Sequence, residues 1–462
     1  MNHGMLKLFR VLVITLLIQN LFANSFVNNM EFDFIKKGKQ DNNTLLIIGG
    51  IQGDEPGAFM AASIITTHYE ITKGSVWVVP NLNFYSIIKR SRGPYGDMNR
   101  KFAAIPEDDP DYDTVQRIKK YITSDEVKVV LNLHDGSGFY RKDYINWTFS
   151  PNRWGQSSII DQSELDIEHY GNLAEISKEV CSHVNKNLLR DRDIYHTKNT
   201  HTKMGDKEME KSLTYYAINN GKAAFGNEAS KTLPLHERTY YHLLALEKYM
   251  EIMGIEFKRR FELSSLNVKK VINDDIYISF YDEKIQLPLS QIRTLLKYFP
   301  IRKDGTLEFS PSNPLLTVIK KNGLFVIHYG NRKIANLKPD YMDMDTQTKS
   351  VNMTIDGIKK EIKIGSIVDV NKSFMVEPIK DIRVNVIGYV KKGRVDESGL
   401  EIEKSKFRNG FSVDVKGNLF RIEFYKGKKF AGMILVNFDK LKTSQSGVST
   451  ISDFIRKATL KM

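Results

Sequence analysis

From Asn43 to about Gly254 the sequence alternates short apolar runs with stretches of helical spacing, the pattern of a mostly parallel sheet covered by helices on both faces. Leu45 to Ile48, Val76 to Val79 and Val127 to Leu133 read as strands, and Pro56 to Tyr69 and Tyr240 to Met253 as helices. Leu173, Ile176, Val180, Val184 and Leu188 fall on one helical face. Beyond Gly254 the texture changes. Asn267 to Ile272, Ile276 to Tyr281 and Leu324 to Tyr329 are predicted strands, and only Leu289 to Tyr298 has helical spacing there. From about Asp340 to Phe438 nearly everything is short and alternating, including Lys360 to Ile364, Ile382 to Val390, Phe411 to Val415 and Leu419 to Tyr425. That is the rhythm of a small β-sandwich or barrel. With 462 residues, about three domains of about 150 residues are expected. The predicted division is an α/β domain over 26–254, a small β-rich domain over 255–340 and a basic β domain over 341–462.

One cysteine, Cys181, excludes an intramolecular disulfide and Cys-rich zinc modules, so any bound metal needs nitrogen and oxygen ligands. The net charge is +13, and residues 351–462 carry +9 of it, with 22 Lys and Arg against 13 Asp and Glu. A basic surface suits an anionic polymer or lipid but does not choose among them. At the N-terminus, Lys7 and Arg10 precede the apolar run Val11 to Ile18, and the small residues Ala23 and Ser25 follow. This is the layout of a secretory signal over residues 1–25, which predicts an exported, periplasmic protein.

In open α/β sheets ligands bind where loops leave the carboxyl ends of the strands. Three exits here carry chemistry. Gly49-Gly50-Ile51-Gln52-Gly53-Asp54-Glu55-Pro56 offers a neutral oxygen donor and a carboxylate three residues apart at a helix start. Leu131-Asn132-Leu133-His134-Asp135-Gly136 sets a histidine at the tip of a strand, and Phe225-Gly226-Asn227-Glu228 sets a carboxylate directly after the short predicted strand Lys222 to Phe225. Each has a structural explanation when taken alone. Glu55 suits a helix N-terminus that has Pro56 at its first position, His134 can be a hydrogen-bonded structural histidine, and Glu228 can be a surface carboxylate.

A fourth segment, Arg92-Gly93-Pro94-Tyr95-Gly96-Asp97-Met98-Asn99-Arg100-Lys101-Phe102, changes the balance. Its Gly-Asp-Met-Asn-Arg-x-Phe resembles the Asp-Leu-Asn-Arg signature of zinc metallocarboxypeptidases and related amino-acid deacylases. Gln52-x-x-Glu55 lies upstream and His134 downstream, in the family's order. The resemblance covers about Asn43 to Met253 and implies the family's α/β fold, a mixed sheet flanked by helices, and one zinc ion. It departs at one ligand, because the family usually has His-x-x-Glu, and an amide oxygen is a poorer zinc donor than imidazole. Together with the leader and the β-rich C-terminal half, the substitution resembles the cell-shape-determining DL-carboxypeptidases of helical and curved bacteria. That subfamily implies a barrel-like middle domain and an immunoglobulin-like last domain.

What the resemblance implies for the site is coherent. Gln52, Glu55 and His134 are the expected zinc ligands, Glu228 the general base, and Arg92 the oxyanion partner. Asn99 and Arg100 are expected to grip the substrate's terminal carboxylate, which a planar guanidinium matches. Arg153 and Trp154, in the polar-aromatic stretch Trp147 to Gln156, are candidate substrate contacts. The implied substrate is the peptidoglycan stem tripeptide (muramyl tripeptide), trimmed to a dipeptide with release of meso-diaminopimelate. The basic last domain is a candidate contact for wall glycan or a shape protein, and nucleic acid is not an expected partner. The alternatives are a zinc deacylase of small acylated amino acids and a wall-binding scaffold with a degenerate site.

Overall fold

Thr44-Leu45-Leu46-Ile47-Ile48 is buried along its whole length, which a strand achieves only when both of its faces are covered. It is the second of seven strands in the central sheet of the computed structural model, which describes residues 30–274, 276–439 and 458–460. The expected leader, 1–25, lies outside these residues. The strands are β1 (Ile35–Gly38), β2 (Thr44–Ile48), β3 (Ser75–Val79), β4 (Val127–Gly136), β5 (Ser157–Ile160), β6 (His196–Asn199) and β7 (Ala223–Ser230), ordered β1-β3-β2-β4-β7-β5-β6. The four central strands β3, β2, β4 and β7 are parallel, β5 and β6 run parallel to each other, and the sheet is mixed because β1 pairs antiparallel with β3 and β5 pairs antiparallel with β7.

One face of the sheet is covered by helices Tyr112–Ile122 and Leu213–Asn219. Their Val115, Ile118, Leu213 and Ala217 close a core with Leu46, Ile48, Trp77, Val79 and Val130. Helices Pro56–His68, Leu173–Asn185 and Leu235–Ile252 pack together and against the sheet. With both faces filled, the open ground is the carboxyl ends of β2, β4 and β7.

The first compact unit runs through Ile272 and the second begins at Asn273. The second is built from four-stranded sheets. Two of them, one containing Ser350–Ile355 and Ser373–Val376 and the other Leu419–Lys426 and Lys429–Asn437, enclose a single core of Met353, Phe374, Phe420, Ile422 and Ile434, a β-sandwich. No helix among the described residues is long and apolar enough to cross a membrane.

Three expected elements differ. Asn267 to Ile272 lies in a helix, Ser265–Asn273, because Val268 and Ile272, four residues apart, are its buried positions. The segment read as a helix, Leu289 to Tyr298, leads instead into the strand Leu295–Arg302, which pairs in parallel with Arg332–Met342; a short apolar run does not distinguish the two by spacing. Phe411 to Val415 is not a strand. The Asp414 carboxylate accepts the N–H groups of Asn418 and Leu419 and folds the segment into a turn.

Candidate active site

The first exit is shaped by a close approach. A Cβ at Gly53 would lie 2.0 Å from the Ser86 carbonyl oxygen, so only glycine lets the chain after β2 run tightly against the Phe84–Lys89 helix before Pro56 opens the next one. This holds Gln52 and Glu55 buried at the end of β2, beside β4. His134 and Glu228 are register partners on the neighbouring parallel strands β4 and β7. Both sit inside their strands. Glu228 was expected just beyond a strand ending at Phe225, but β7 continues to Ser230 because β4 pairs with it on one side, and Gly226, Asn227 and Glu228 pair with Ile159, Ser158 and Ser157 of β5 on the other.

His134 Nδ1 lies 2.9 Å from Glu55 Oε2 and 3.3 Å from Gln52 Oε1, so three donors converge on one point. The amide is oriented by Asp97, whose Oδ1 accepts from Gln52 Nε2 at 2.7 Å and leaves the carbonyl oxygen facing the histidine. Asp97 Oδ2 accepts from Arg92 Nε at 2.9 Å, and Arg92 Nη1 stands 3.8 Å from Glu55 Oε1. Burial pushes the Asp97 carboxyl up, but the Gln52 hydrogen bond and the guanidinium groups of Arg92 and Arg100 hold it below the usual carboxylate range. Burial likewise works against a charged His134; the hydrogen bond and charge of Glu55, with Glu228 and Asp97 behind it, outweigh burial and raise its pKa.

The donor chemistry fits a divalent metal. Among the described residues no group of three or more His, Cys, Asp and Glu side chains could hold one, so a site here counts the Gln52 amide oxygen as a ligand beside Glu55 and His134. Glu228 faces this point. It is buried, and its Oε2 has no hydrogen-bond partner among the described residues. A Cβ at Gly136 would fall 2.7 Å from that oxygen, so the glycine makes room for it. Burial pushes the Glu228 carboxyl up to about 8, with His134 and Lys231 opposing and the charges of Glu55 and Asp135 adding. A buried carboxylate without a donor awaits a proton or a cation.

A cleft of about 200 Å³ opens over these groups, and its walls include Arg92, Asn99, Arg100, Trp154 and Lys231. Asn99 is fixed by its Oδ1, which accepts Leu213 N–H at 3.0 Å, and its Nδ2 lies 3.5 Å from His134 Nε2. Arg100 Nη1 donates to the Asn99 carbonyl at 3.1 Å. Arg153 is not brought to the cleft: its guanidinium lies 4.1 Å from the Trp147 ring centroid and its Nε donates to the Trp147 carbonyl. Sequence reading missed the buried support. The Asp135 carboxylate accepts from Gly57 N, Arg238 Nη1 and His242 Nε2 while its own N–H donates to Glu55 Oε2, which ties β4 to the helix that follows the ligand loop. It also missed Lys231, whose Nζ bridges Asp54 at 2.7 Å and Glu55 at 3.3 Å. An acidic residue directly after the strand-tip histidine, and a lysine three residues after Glu228, were the available signals.

Residues 7–273 match the catalytic domain of carboxypeptidases controlling helical cell shape, which is more than half of the chain. The chain belongs to that family. Residues 344–439 match the C-terminal domain of metallo-carboxypeptidases. The apo crystal structure of the cell-shape determinant Csd4 from Helicobacter pylori is 40% identical, with 88% of this chain and 100% of that chain covered and a TM-score of 0.81. The tripeptide-bound form of Csd4 and its mDAP-bound form, described as a D,L-carboxypeptidase, align over the same shares at 40% identity and TM-scores of 0.80. No curated protein matches the chain. The protein is therefore a metallocarboxypeptidase of the family that controls helical cell shape, and that family implies a catalytic metal.

Proposed function

We propose that the protein is a periplasmic zinc-dependent DL-carboxypeptidase that trims stem tripeptides to dipeptides by releasing meso-diaminopimelate. The observation that carries this reading is the convergence of Gln52 Oε1, Glu55 Oε2 and His134 Nδ1 under a cleft that also holds Glu228 Oε2, which has no hydrogen-bond partner among the described residues. The tripeptide and mDAP bound to Csd4 support the substrate. The basic, apolar leader supports export.

Gln52, Glu55 and His134 are the residues that would hold zinc, and a zinc ion there supplies Lewis acidity. Glu228 takes a proton from the attacking water at its free Oε2 and returns it to the leaving amine. Arg92, tethered by Asp97, presents its guanidinium to the charge that develops on the scissile carbonyl oxygen. Arg100 and Asn99 bind the terminal carboxylate, so the bond next to the chain end is the one presented to Glu228.

The test is mass spectrometry of muropeptides before and after incubation with the purified protein and zinc. Loss of tripeptide with gain of dipeptide is expected. Hydrolysis of acetylated amino acids without release of diaminopimelate would replace this reading with a deacylase. Arg100→Ala is expected to weaken substrates with a free terminal carboxylate about 10- to 100-fold, the worth of a charged hydrogen bond. An equal loss on amidated substrates would remove the clamp. Gln52→His is expected to hold zinc at least as tightly as the parent in a chelator competition, since imidazole is the better donor. Weaker binding would count against Gln52 as a ligand.

A further inference from the structure

The cleft, at about 200 Å³, is smaller than the roughly 300–1,000 Å³ of pockets that enclose a drug-sized ligand. It takes the end of a stem peptide and leaves the rest of the substrate on its rim. One stretch of that rim is built in an unusual way. Between the two-residue strands Phe139–Tyr140 and Phe149–Ser150, Tyr144, Ile145 and Trp147 are 71%, 63% and 74% exposed. Three large apolar side chains left in water on one short loop offer apolar surface of the kind that binding sites use.

The loop is held rigidly. Asn146 Oδ1 accepts the N–H groups of Thr148 and Phe149, Ile145 N–H donates to the Phe149 carbonyl, and the Phe139 and Phe149 rings stack at 4.8 Å beneath it. The Arg153 guanidinium backs the Trp147 ring at 4.1 Å, so the indole is braced while most of its surface stays open. The same device recurs at Trp154, which lines the cleft. Lys198 Nζ lies 3.9 Å from the Trp154 ring centroid and donates to the carbonyls of Pro151 and Arg153. The loop is joined to the cleft through Arg153, whose chain neighbour Trp154 lines the cleft and donates its N–H to the carbonyl of Ser137, another lining residue.

We propose that Trp147, with Tyr144 beside it in the loop, is a stacking platform for a pyranose ring of the glycan that carries the stem peptide, a subsite outside the catalytic cleft. This rests on the proposed peptidoglycan substrate. A pyranose presents C–H groups on its face and hydroxyls on its edge, which suits an open indole face with cationic and amide groups around it. Trp147 is a binding residue here and Arg153 its positioning residue.

The test compares the metal-loaded full chain with its Trp147→Ala and Trp147→Phe variants on two substrates, the free stem tripeptide and the same tripeptide attached to a muramyl disaccharide. Trp147→Ala is expected to raise KM about tenfold on the disaccharide substrate, leaving its kcat and both constants for the free tripeptide unchanged, and Trp147→Phe is expected to restore most of the loss. No effect on either substrate, or the same loss on both, would overturn the platform. If the parent protein cleaves neither substrate, it is the proposed function that falls. The platform is then decided by binding of the intact disaccharide tripeptide, read by tryptophan fluorescence with and without the Trp147→Ala change. Binding of anionic phospholipid vesicles that is lost in Trp147→Ala, without sugar-dependent binding, would assign the loop to a membrane surface and overturn the glycan assignment.

Discussion

Glu228→Gln is expected to lower kcat by about 10²- to 10⁴-fold, the usual worth of general acid–base catalysis, while fold and metal content stay at parental levels. The amide keeps the shape of the side chain but cannot accept and return a proton at Oε2, the atom without a hydrogen-bond partner among the described residues. Turnover at the parental rate, measured on tripeptide at saturating zinc, would remove Glu228 from the mechanism. The metal-free protein gives a second reading of the same residue. Burial raises its carboxyl to about 8, above its ordinary 4.5, so the folded state holds a proton that the unfolded state has released. The contribution of this group to stability is therefore complete below about pH 4.5 and is lost as pH climbs toward 8. Glu228→Gln removes that slope, so denaturant melts of the two metal-free proteins should diverge with rising pH in favour of the variant. Parallel curves would contradict the burial argument.

Arg92→Ala is expected to lower kcat by about 10²- to 10³-fold, the loss seen when an oxyanion donor is removed, with a smaller change in KM. The guanidinium is half-exposed and is aimed by Asp97 rather than by packing, so Arg92→Lys should recover little: the lysine ammonium cannot reproduce the fork that reaches Asp97 and Glu55 together. Metal affinity measured alongside kcat separates the two roles. A variant that loses zinc instead of rate would assign Arg92 to the ligand sphere's support and not to the reaction.

Much of the α/β half was legible because parallel strands buried on both faces write themselves as unbroken apolar runs, and the loaded residues stand where those runs end. Gln52, Glu55 and His134 were visible for that reason. Glu228 was visible as a residue but was misplaced in its strand. Gly226 and Asn227 look like a turn to local reasoning, and only the neighbours on both sides of β7 keep the chain extended through them. Asp97 stood inside the quoted motif without a role, because its partner Gln52 is 45 residues away. Arg153 was grouped with Trp154 by adjacency, and the structure places Trp154 on the cleft and Arg153 on Trp147. In the β-rich half the short runs carry too few periods to tell a turn of helix from a strand, as Leu289 to Tyr298 and Asn267 to Ile272 show.

One carboxylate, that of Asp97, touches both the amide of Gln52 and the guanidinium of Arg92. Losing the amide would leave Oδ1 held by the Asn99 N–H alone, and losing the arginine would strip Oδ2 of its cation. A change at either position therefore reaches the other through one shared carboxylate, and the effects of the two substitutions should not add.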